Sequence, residues 1–216
     1  EKIRAEQEKD LWHAVGHEIM SPLQSLLALH GSAQDPSYRY ISRMQQAVRI
    51  LYGSASPSEA IQSTSLQLRA LDISSFVREV AANAAGAGID HVVLGDCPPN
   101  LHARADAYSL EDVFGHVLKN ADRYRDPGTP IELSIEARDN AVVIAIRNTG
   151  PRIPPEMIGN IFEYGVSDQA EAGAHGNRGQ GLFVARTYMA KMGGTITAKN
   201  VENGVCFCLG LQRVRG

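Results

Sequence analysis

The sequence predicts an α+β protein in which an N-terminal antiparallel helical hairpin precedes an α/β sandwich domain. In the first part of the chain, apolar residues recur at spacings of three and four in two stretches, separated by a turn at 30–36 that contains Gly and Pro. After about residue 63, short apolar runs of strand length alternate with helical patterns. The predicted boundaries are a helical hairpin over 1–62, a linker over 63–71 and an α/β domain over 72–216.

Two amphipathic helices form the predicted hairpin. The apolar positions of the first helix, which covers about residues 1–30, are Trp12, Val15, Ile19, Leu23 and Leu26. Those of the second helix are Ile41, Met44, Val48, Leu51 and Ala55. Pro22 removes a backbone donor inside the first helix and is expected to kink it. A lone hairpin leaves part of each apolar stripe in water, whereas two copies close into a four-helix bundle, so we expect a homodimer through residues 1–62.

The second domain is predicted to carry helices on one face of a mixed sheet. Helical patterns cover 73–85, 107–125 and 178–194, and strand patterns cover 91–96, 131–137, 141–147, 195–200 and 204–214. Asp106 is placed to cap the helix that follows it. The stretch 63–72 is typical of a linker that leads into a strand or a helix. Cys206 and Cys208 stand two residues apart in the last strand, so we expect them to share one face as small core residues.

Composition indicates a globular protein and argues against several classes of partner. The 216 residues carry a formal net charge of -3 and are 44% hydrophobic, so the charge gives no argument for nucleic acid. No apolar run approaches the roughly 20 residues of a membrane helix. Three cysteines without a CxxC pair are typical of reduced thiols. We therefore expect a cytoplasmic protein with no membrane segment in this chain, and leave open whether a longer parent protein is anchored in a membrane.

The stretch GHEIMSPL places His17 and Glu18 side by side on the first helix. A zinc-protease HExxH motif needs a second histidine where this chain has Ser21. Counted from the centre of the apolar stripe, His17 points about 160° away and is predicted to be exposed. Three interpretations stay open at this point: a solvated helix histidine, a metal ligand together with His13, and an imidazole nucleophile whose tautomer Glu18 holds.

Three further stretches suit a nucleotide, although each is weak when taken alone. HVLKNADRY offers the uncharged amide oxygen of Asn120, a type of ligand that Mg²⁺ accepts, and Arg123 for phosphate. In RNTGPRIP, Gly150 lets the backbone approach a flat ligand closely. HGNRGQGL places glycines before a helix, where free N–H groups favour phosphate. The pattern is not a Rossmann fingerprint, since no βαβ unit surrounds it, and it is not a Walker loop, since GK[ST] is missing.

Together, in this order and behind a hairpin that carries HExxxP, these stretches resemble the motifs of the sensor histidine kinases of two-component signalling. GHEIMSPL resembles the phosphoacceptor box of that family, HVLKNADRY the N box, RNTGPRIP the first Gly box, NIFEYG the F box and RGQGL the second Gly box. The resemblance covers nearly the whole chain. It implies a dimerisation and phosphoacceptor domain, then an ATP-binding α/β sandwich with a lid over ATP at about residues 163–180.

The resemblance also implies a role for each site residue. His17 would receive the γ-phosphate of ATP, Glu18 would activate it, and the phosphoryl group would pass to an aspartate of a response regulator receiver domain. Asn120 would bind Mg²⁺. The contacts to ATP would come from Asn120, Arg123, Tyr124, Asn148, Gly150, Ile153, Arg178, Gly179, Gly181 and Leu182. Ser21 stands where the family often has a Thr or Asn that positions water for dephosphorylating the regulator, and Pro22 would supply a helix bend.

Three residues depart from the family pattern. Asn148 stands where the first Gly box usually has Asp, and its amide oxygen can accept from the adenine amino group without a charge. Arg152 replaces the second glycine of that box, and it either crowds the nucleotide or points outward. His116 replaces an Asn of the N box, at a position where gyrase-type and chaperone ATPases of the same fold have a Glu that activates water. Two alternatives to a kinase therefore stay open: a catalytically weak nucleotide-binding module or response-regulator phosphatase, and, more remotely, a gyrase-like ATPase.

Overall fold

The computed structural model describes residues 66–163, 166 and 181–215, together with Ile19, Pro22, Leu23, Ser25, Leu26, Ser37, Ile41 and Met44. The chain divides into two units, Glu1–Ser65 and Leu66–Gly216, and each is described by itself. The predicted phosphoacceptor residues His17, Glu18 and Ser21 lie outside the described residues, as does most of the predicted hairpin.

The described positions of the first unit are helical. Leu23 and Ile41, one from each predicted helix, are buried. Ile19, Leu26 and Met44 belong to the same predicted apolar stripes, yet they are 41%, 40% and 46% exposed. At the described positions, the apolar stripes are thus only partly covered within one chain, and the four-helix bundle stays a prediction.

The second unit contains seven strands and four helices among the residues that the structure describes. The strands are β1 (Arg69–Asp72), β2 (Val92–Leu94), β3 (His102–Ala105), β4 (Ile131–Ala137), β5 (Ala141–Thr149), β6 (Thr195–Val201) and β7 (Gly204–Val214). The helices are α1 (Ile73–Asn83), α2 (Ala107–Tyr124), α3 (Pro155–Ile158) and α4 (Gly181–Lys191), and a short 3-10 helix covers Ala85–Ala87. Within the described ranges, no helix combines the length and the apolar character that a membrane span needs.

The strands form one mixed sheet with helices on one of its faces. Its order is β1-β3-β7-β5-β4-β2, with β6 paired to β7. Strands β2 and β4 run parallel, and the other pairs are antiparallel. On β5, the buried residues Val142, Ile144 and Ile146 alternate with more exposed ones, so one face of the strand belongs to the core that it shares with α2. The predicted α+β class of this domain is confirmed.

Two elements of the second unit were not predicted from the sequence, namely β3 and α3. The core-facing residues of β3 are Ala103 and Ala105, and alanine has neither the bulk nor the β propensity that marks a strand. Strand β1 pairs with β3, so the sheet begins at Arg69, inside the predicted linker over 63–71. The sequence analysis had predicted that this linker leads into either a strand or a helix.

Two aspartates fix the starts of α1 and α2. At α1, Asp72 Oδ1 accepts a hydrogen bond from the Ser75 N–H at 3.0 Å. At α2, Asp106 Oδ1 accepts from the Ser109 N–H at 2.8 Å, which confirms the predicted cap. The other oxygen of Asp106, Oδ2, accepts from the Gln67 N–H at 2.9 Å. One buried carboxylate therefore begins the helix of the N box and also holds the segment that precedes β1.

The two thiols of β7 lie on one face of the strand, as expected, but this face is the one away from the helices. Val205, Phe207 and Leu209 belong to the core cluster, and Cys206 and Cys208 alternate with them. The two Sγ atoms are 3.8 Å apart. The hydrogen bond between them lowers the pKa of the Cys208 thiol to about 6, helped by nearby cations and opposed by burial. The same hydrogen bond, with burial, raises the pKa of Cys206.

Replacing Asp106 by alanine is expected to lower the free energy of unfolding by about 2 kcal/mol, because the variant loses the cap of α2 and the acceptor for the Gln67 N–H. The matched control is Asp72→Ala, which removes the cap of α1 and an exposed hydrogen bond from the Ser75 hydroxyl but no contact with a distant segment, and is expected to cost about 1 kcal/mol. Chemical denaturation followed by circular dichroism measures both losses. Equal losses would contradict the structural role of the second hydrogen bond of Asp106.

The lowered pKa of Cys208 predicts that iodoacetamide reacts with this thiol already near neutral pH, because the thiolate is the reactive form. Burial raises the pKa of Cys97, so at pH 7 we expect Cys208 to react roughly ten times faster or more. Peptide mass spectrometry over a range of pH measures both rates. Cys206→Ala removes the hydrogen bond and should move the midpoint for Cys208 towards the ordinary thiol value of about 8.5. A midpoint already at that value in the unmodified chain would contradict the prediction.

Candidate nucleotide-binding site

Helix α2 is the element around which the predicted motifs gather. Its buried residues include Leu110, Phe114 and Val117, which pack into the core. His116, Asn120 and Tyr124 follow one another at intervals of four and are half-buried, so they share another face of the helix. Three side chains of the predicted N box are therefore presented together, one turn apart.

The loop after β5 is held against the end of α2. The Asp126 N–H donates to the Thr149 carbonyl oxygen at 2.8 Å. Gly150 has a φ of 154°, and a Cβ at this position would collide with the carbonyl oxygen of Tyr124. The sequence predicted that the backbone at Gly150 approaches a flat ligand closely. In the structure, it approaches the end of α2. The first Gly box and the N box are joined by backbone contacts that only glycine permits at this position.

The far end of the same loop is anchored to the hairpin of β6 and β7. The side-chain amide of Asn200 binds both backbone groups of Ile153: its Oδ1 accepts from the Ile153 N–H at 2.9 Å, and its Nδ2 donates to the Ile153 carbonyl oxygen at 2.8 Å. Arg152 donates to the carbonyl oxygens of Val201 and Glu202, at 3.1 and 2.8 Å. Arg152 is therefore turned to the hairpin and away from α2, which answers the question that the sequence left open.

Asn148, one of the three residues that depart from the family pattern, is 2% exposed. It continues the core-facing row of β5 beyond Ile144 and Ile146, and its register neighbours on β4 and β7 are Ile131 and Val205. Both neighbours are apolar, and the Nδ2 atom of Asn148 has no hydrogen-bond partner within the described part of the chain. A buried amide without a partner is rare in proteins and indicates a group that a ligand or water completes.

The start of α4 meets α2 at His116. A Cβ added to Gly181 would lie 3.0 Å from His116 Nδ1, so the glycine lets the first turn of α4 approach the imidazole. Burial, and then the nearby Lys119 cation, lowers the pKa of His116, which favours the neutral ring at pH 7. Leu182 is half-buried and packs on the core. The second Gly box thus ends at the helix that carries Asn120.

The predicted F box is tied to the core and to α4. Phe162 is buried and meets Phe207 edge-on, with 6.3 Å between the ring centroids. Glu163 forms an exposed ion pair with Arg186 of α4. Glu163 and Arg186 flank the predicted lid on its two sides, although most residues of that lid, with Arg178 and Gly179, lie outside the described ranges.

Arg123 is exposed, and its guanidinium lies 5.3 Å from the centroid of the neighbouring Tyr124 ring.

Sequence reasoning missed Asn200, because a side chain that binds a loop about 47 residues away leaves no local pattern. It also missed the pair Glu163 and Arg186 for the same reason. Within the described ranges, no group of three or more His, Cys, Asp and Glu residues could hold a metal ion.

Comparison with known proteins identifies the domain that carries this site. Residues 105–215 match the family of histidine kinase-, DNA gyrase B- and HSP90-like ATPases. The signal transduction histidine-protein kinase AfsQ2 of Streptomyces coelicolor is 32% identical over 130 residues, which cover 60% of this chain and 24% of AfsQ2. The sensor protein VanSC of Enterococcus gallinarum is 23% identical over 225 residues, which cover 97% of this chain and 62% of VanSC.

Solved structures of histidine kinases share the fold. Full-length ShkA in complex with AMPPNP superposes with a TM-score of 0.61 at 18% identity, covering 96% of this chain and 46% of that one. The catalytic domain of the histidine kinase ThkA superposes with a TM-score of 0.58 at 21% identity, covering 70% of this chain and all of that domain.

The chain spans 24% to 62% of the length of AfsQ2 and VanSC. The resemblance to sensor histidine kinases that the motifs indicated is confirmed by these relatives and by the match of the second domain. The chain belongs to the family of histidine kinase-, DNA gyrase B- and HSP90-like ATPases.

Proposed function

We propose that this chain is the kinase portion of a sensor histidine kinase: it binds ATP with Mg²⁺, transfers the γ-phosphoryl group to His17, and passes it to an aspartate of a response regulator receiver domain. The observation that carries the proposal is the convergence of the motifs on α2. Gly150 approaches the end of this helix, and Gly181 approaches it at His116. On this ground we assign the half-buried His116, Asn120 and Tyr124 and the buried Asn148 to one site, in a fold that histidine kinases share.

The residues around α2 fit ATP. Asn148 offers a buried amide without a partner for the base, and Gly150 and Ile153 belong to the anchored loop that follows it. The amide oxygen of Asn120 would complete the coordination of a Mg²⁺ ion that is held mainly by phosphates and water. The remaining predicted contacts are Arg123, Tyr124, Arg178, Gly179, Gly181 and Leu182.

His17 is the proposed nucleophile. A neutral imidazole nitrogen forms a bond to the γ-phosphorus, the bond from this phosphorus to the bridging oxygen breaks, and ADP leaves. Glu18 accepts a hydrogen bond from the second ring nitrogen, which fixes the tautomer and stabilises the cation that develops. The phosphohistidine then donates its phosphoryl group to the carboxylate of the regulator.

We propose a homodimer through residues 1–62. Ile19, Leu26 and Met44 are apolar side chains of the predicted stripes that are at least 40% exposed in one chain. Large apolar side chains that repeat along a helix are covered when two hairpins form a four-helix bundle. This arrangement also places a second copy of the acceptor helix within the same assembly.

A second candidate is a nucleotide-binding signalling module that lacks kinase activity and acts as a phosphatase on the regulator. The buried Asn148, in place of a carboxylate, is the observation that favours it, and Ser21 would position the attacking water. Arg152 no longer supports this alternative, because its guanidinium binds the hairpin of β6 and β7. Calorimetry with a non-hydrolysable ATP analogue, together with the labelling experiment below, separates the two: this candidate binds nucleotide but takes up no label.

Incubation with γ-labelled ATP and Mg²⁺ is expected to label the chain with a phosphoryl group that is lost in acid, since phosphohistidine is a labile phosphoramidate. His17→Gln should abolish the label, because the variant retains no imidazole at the acceptor position. His13→Gln is the matched control, since His13 lies on the same predicted helix face and should leave labelling unchanged. Persistent label in His17→Gln would rule out His17 as the acceptor.

Asn120→Ala is expected to weaken the affinity for the ATP analogue roughly tenfold or more in the presence of Mg²⁺, because the metal loses its protein ligand. Without Mg²⁺ the affinity should change little. Glu111→Ala, at an exposed position of α2 more than two turns before Asn120, is the control for a general effect on the helix. Isothermal titration with and without Mg²⁺ measures the effect, and an equal loss under both conditions would argue that Asn120 contacts the nucleotide instead of the metal.

A further inference from the structure

Asn148 carries a donor group that the protein itself does not use. Its side chain is 2% exposed, and Nδ2 has no partner among the described residues. Ile131 and Val205 flank it on the neighbouring strands and offer only apolar side chains. A carboxylate at this position would be purely an acceptor, whereas an amide is an acceptor and a donor at once.

The position of the amide is fixed by the backbone on both sides of it. The Asp126 N–H binds the Thr149 carbonyl oxygen, and the Gly150 N–H binds the Asn203 carbonyl oxygen at 3.0 Å. Gly204 packs so close to the Asn148 carbonyl group that any Cβ there would collide with it. The side chain can therefore turn about its own bonds, but the strand that carries it is held in place.

Rotation of the terminal amide by 180° interchanges its oxygen and its nitrogen with little change of shape. The two orientations match the two kinds of purine edge. Adenine presents an amino donor at N6 and an acceptor at N1, and a 6-oxopurine presents a carbonyl acceptor at O6 and a donor at N1. An Asp in the same place can accept from the N6 amino group of adenine, although it cannot donate to N1. At the 6-position of a 6-oxopurine, the carboxylate would meet O6 with like partial charge and no hydrogen atom to donate.

We propose that Asn148 makes this site accept 6-oxopurine nucleoside triphosphates, the class of GTP and ITP, in addition to ATP, and that Asn148 is the specificity-determining residue. The inference rests on the proposed nucleotide site. The buried donor at Nδ2 binds O6, and Oδ1 accepts from the N1–H of the same base. The two hydrogen bonds satisfy the group that stays unpaired when the site contains only protein.

The test uses the whole chain and nucleotides of both purine classes in the presence of Mg²⁺. Calorimetry measures the affinities for AMPPNP and GMPPNP, and phosphorylation is followed with γ-labelled ATP and GTP. We expect the two analogues to bind within about tenfold of each other, because both bases form two hydrogen bonds with the amide. Asn148→Asp should weaken GMPPNP roughly tenfold or more and weaken AMPPNP less, because the carboxylate still accepts from the N6 amino group of adenine but repels O6.

Asn203→Asp is the matched control. Asn203 is exposed in the turn before Gly204, and the variant introduces the same charge beside the site without changing the buried amide. It should leave the ratio of the two affinities unchanged. Inosine triphosphate, which lacks the 2-amino group of guanine, serves as a competitor and identifies recognition of the 6-oxo edge itself.

The outcomes separate this inference from the function on which it rests. If AMPPNP binds and neither 6-oxopurine nucleotide does, the inference is wrong and the proposed kinase stands. If the ratio of affinities is the same in the wild type and in Asn148→Asp, Asn148 does not determine specificity and the inference is also overturned. Failure of every nucleotide to bind would overturn the proposed function itself.

Discussion

The contact between the end of α2 and the loop after β5 is the constraint on which the candidate site depends. Gly150 approaches the Tyr124 carbonyl oxygen so closely that no other residue fits, and the Asp126 N–H closes the contact by binding Thr149. Asn120 lies one turn before Tyr124, and Asn148 lies two residues before Gly150. A contact between two backbones therefore sets the spacing of the two side chains proposed for metal and base, independently of any flexible side chain.

Buried polar groups of the second unit divide into those that build the fold and one that the fold leaves incomplete. Asp106 uses both carboxylate oxygens to hold backbone groups, and the Ser74 hydroxyl donates to the Pro98 carbonyl oxygen while it accepts from the Leu101 N–H. Asn148 is as buried as these, but its amide has no such partner among the described residues. Desolvation of an unpaired amide opposes folding, so Asn148 does not stabilise the fold through this group. We therefore attribute the amide to ligand binding.

Local pattern was enough to predict most of this domain, because its core strands alternate strongly and its long helix begins at a capping Asp. The strand His102–Ala105 was missed because alanines supply its core face, and Asn200 was missed because it acts across the fold. For the site, motif order and the family resemblance predicted which residues would contact the nucleotide, and the structure brings two of these residues, Gly150 and Gly181, against α2. They could not predict that Gly150 contacts the helix, or that Arg152 turns to the hairpin, since both depend on contacts between distant segments.

Arg152 and Asn148 both depart from the family pattern, but Arg152 lies on an exposed loop and Asn148 is buried in the sheet, so the two changes have different effects. Arg152 replaces a glycine on a loop whose backbone is already held by Asn200, so the guanidinium can turn outward and bind the hairpin of β6 and β7 without moving the loop. Asn148 is buried within the sheet, and its register neighbours on the two adjacent strands, Ile131 and Val205, are apolar. A change from carboxylate to amide there replaces a group that only accepts hydrogen bonds by one that also donates, beside register neighbours that can pair with neither.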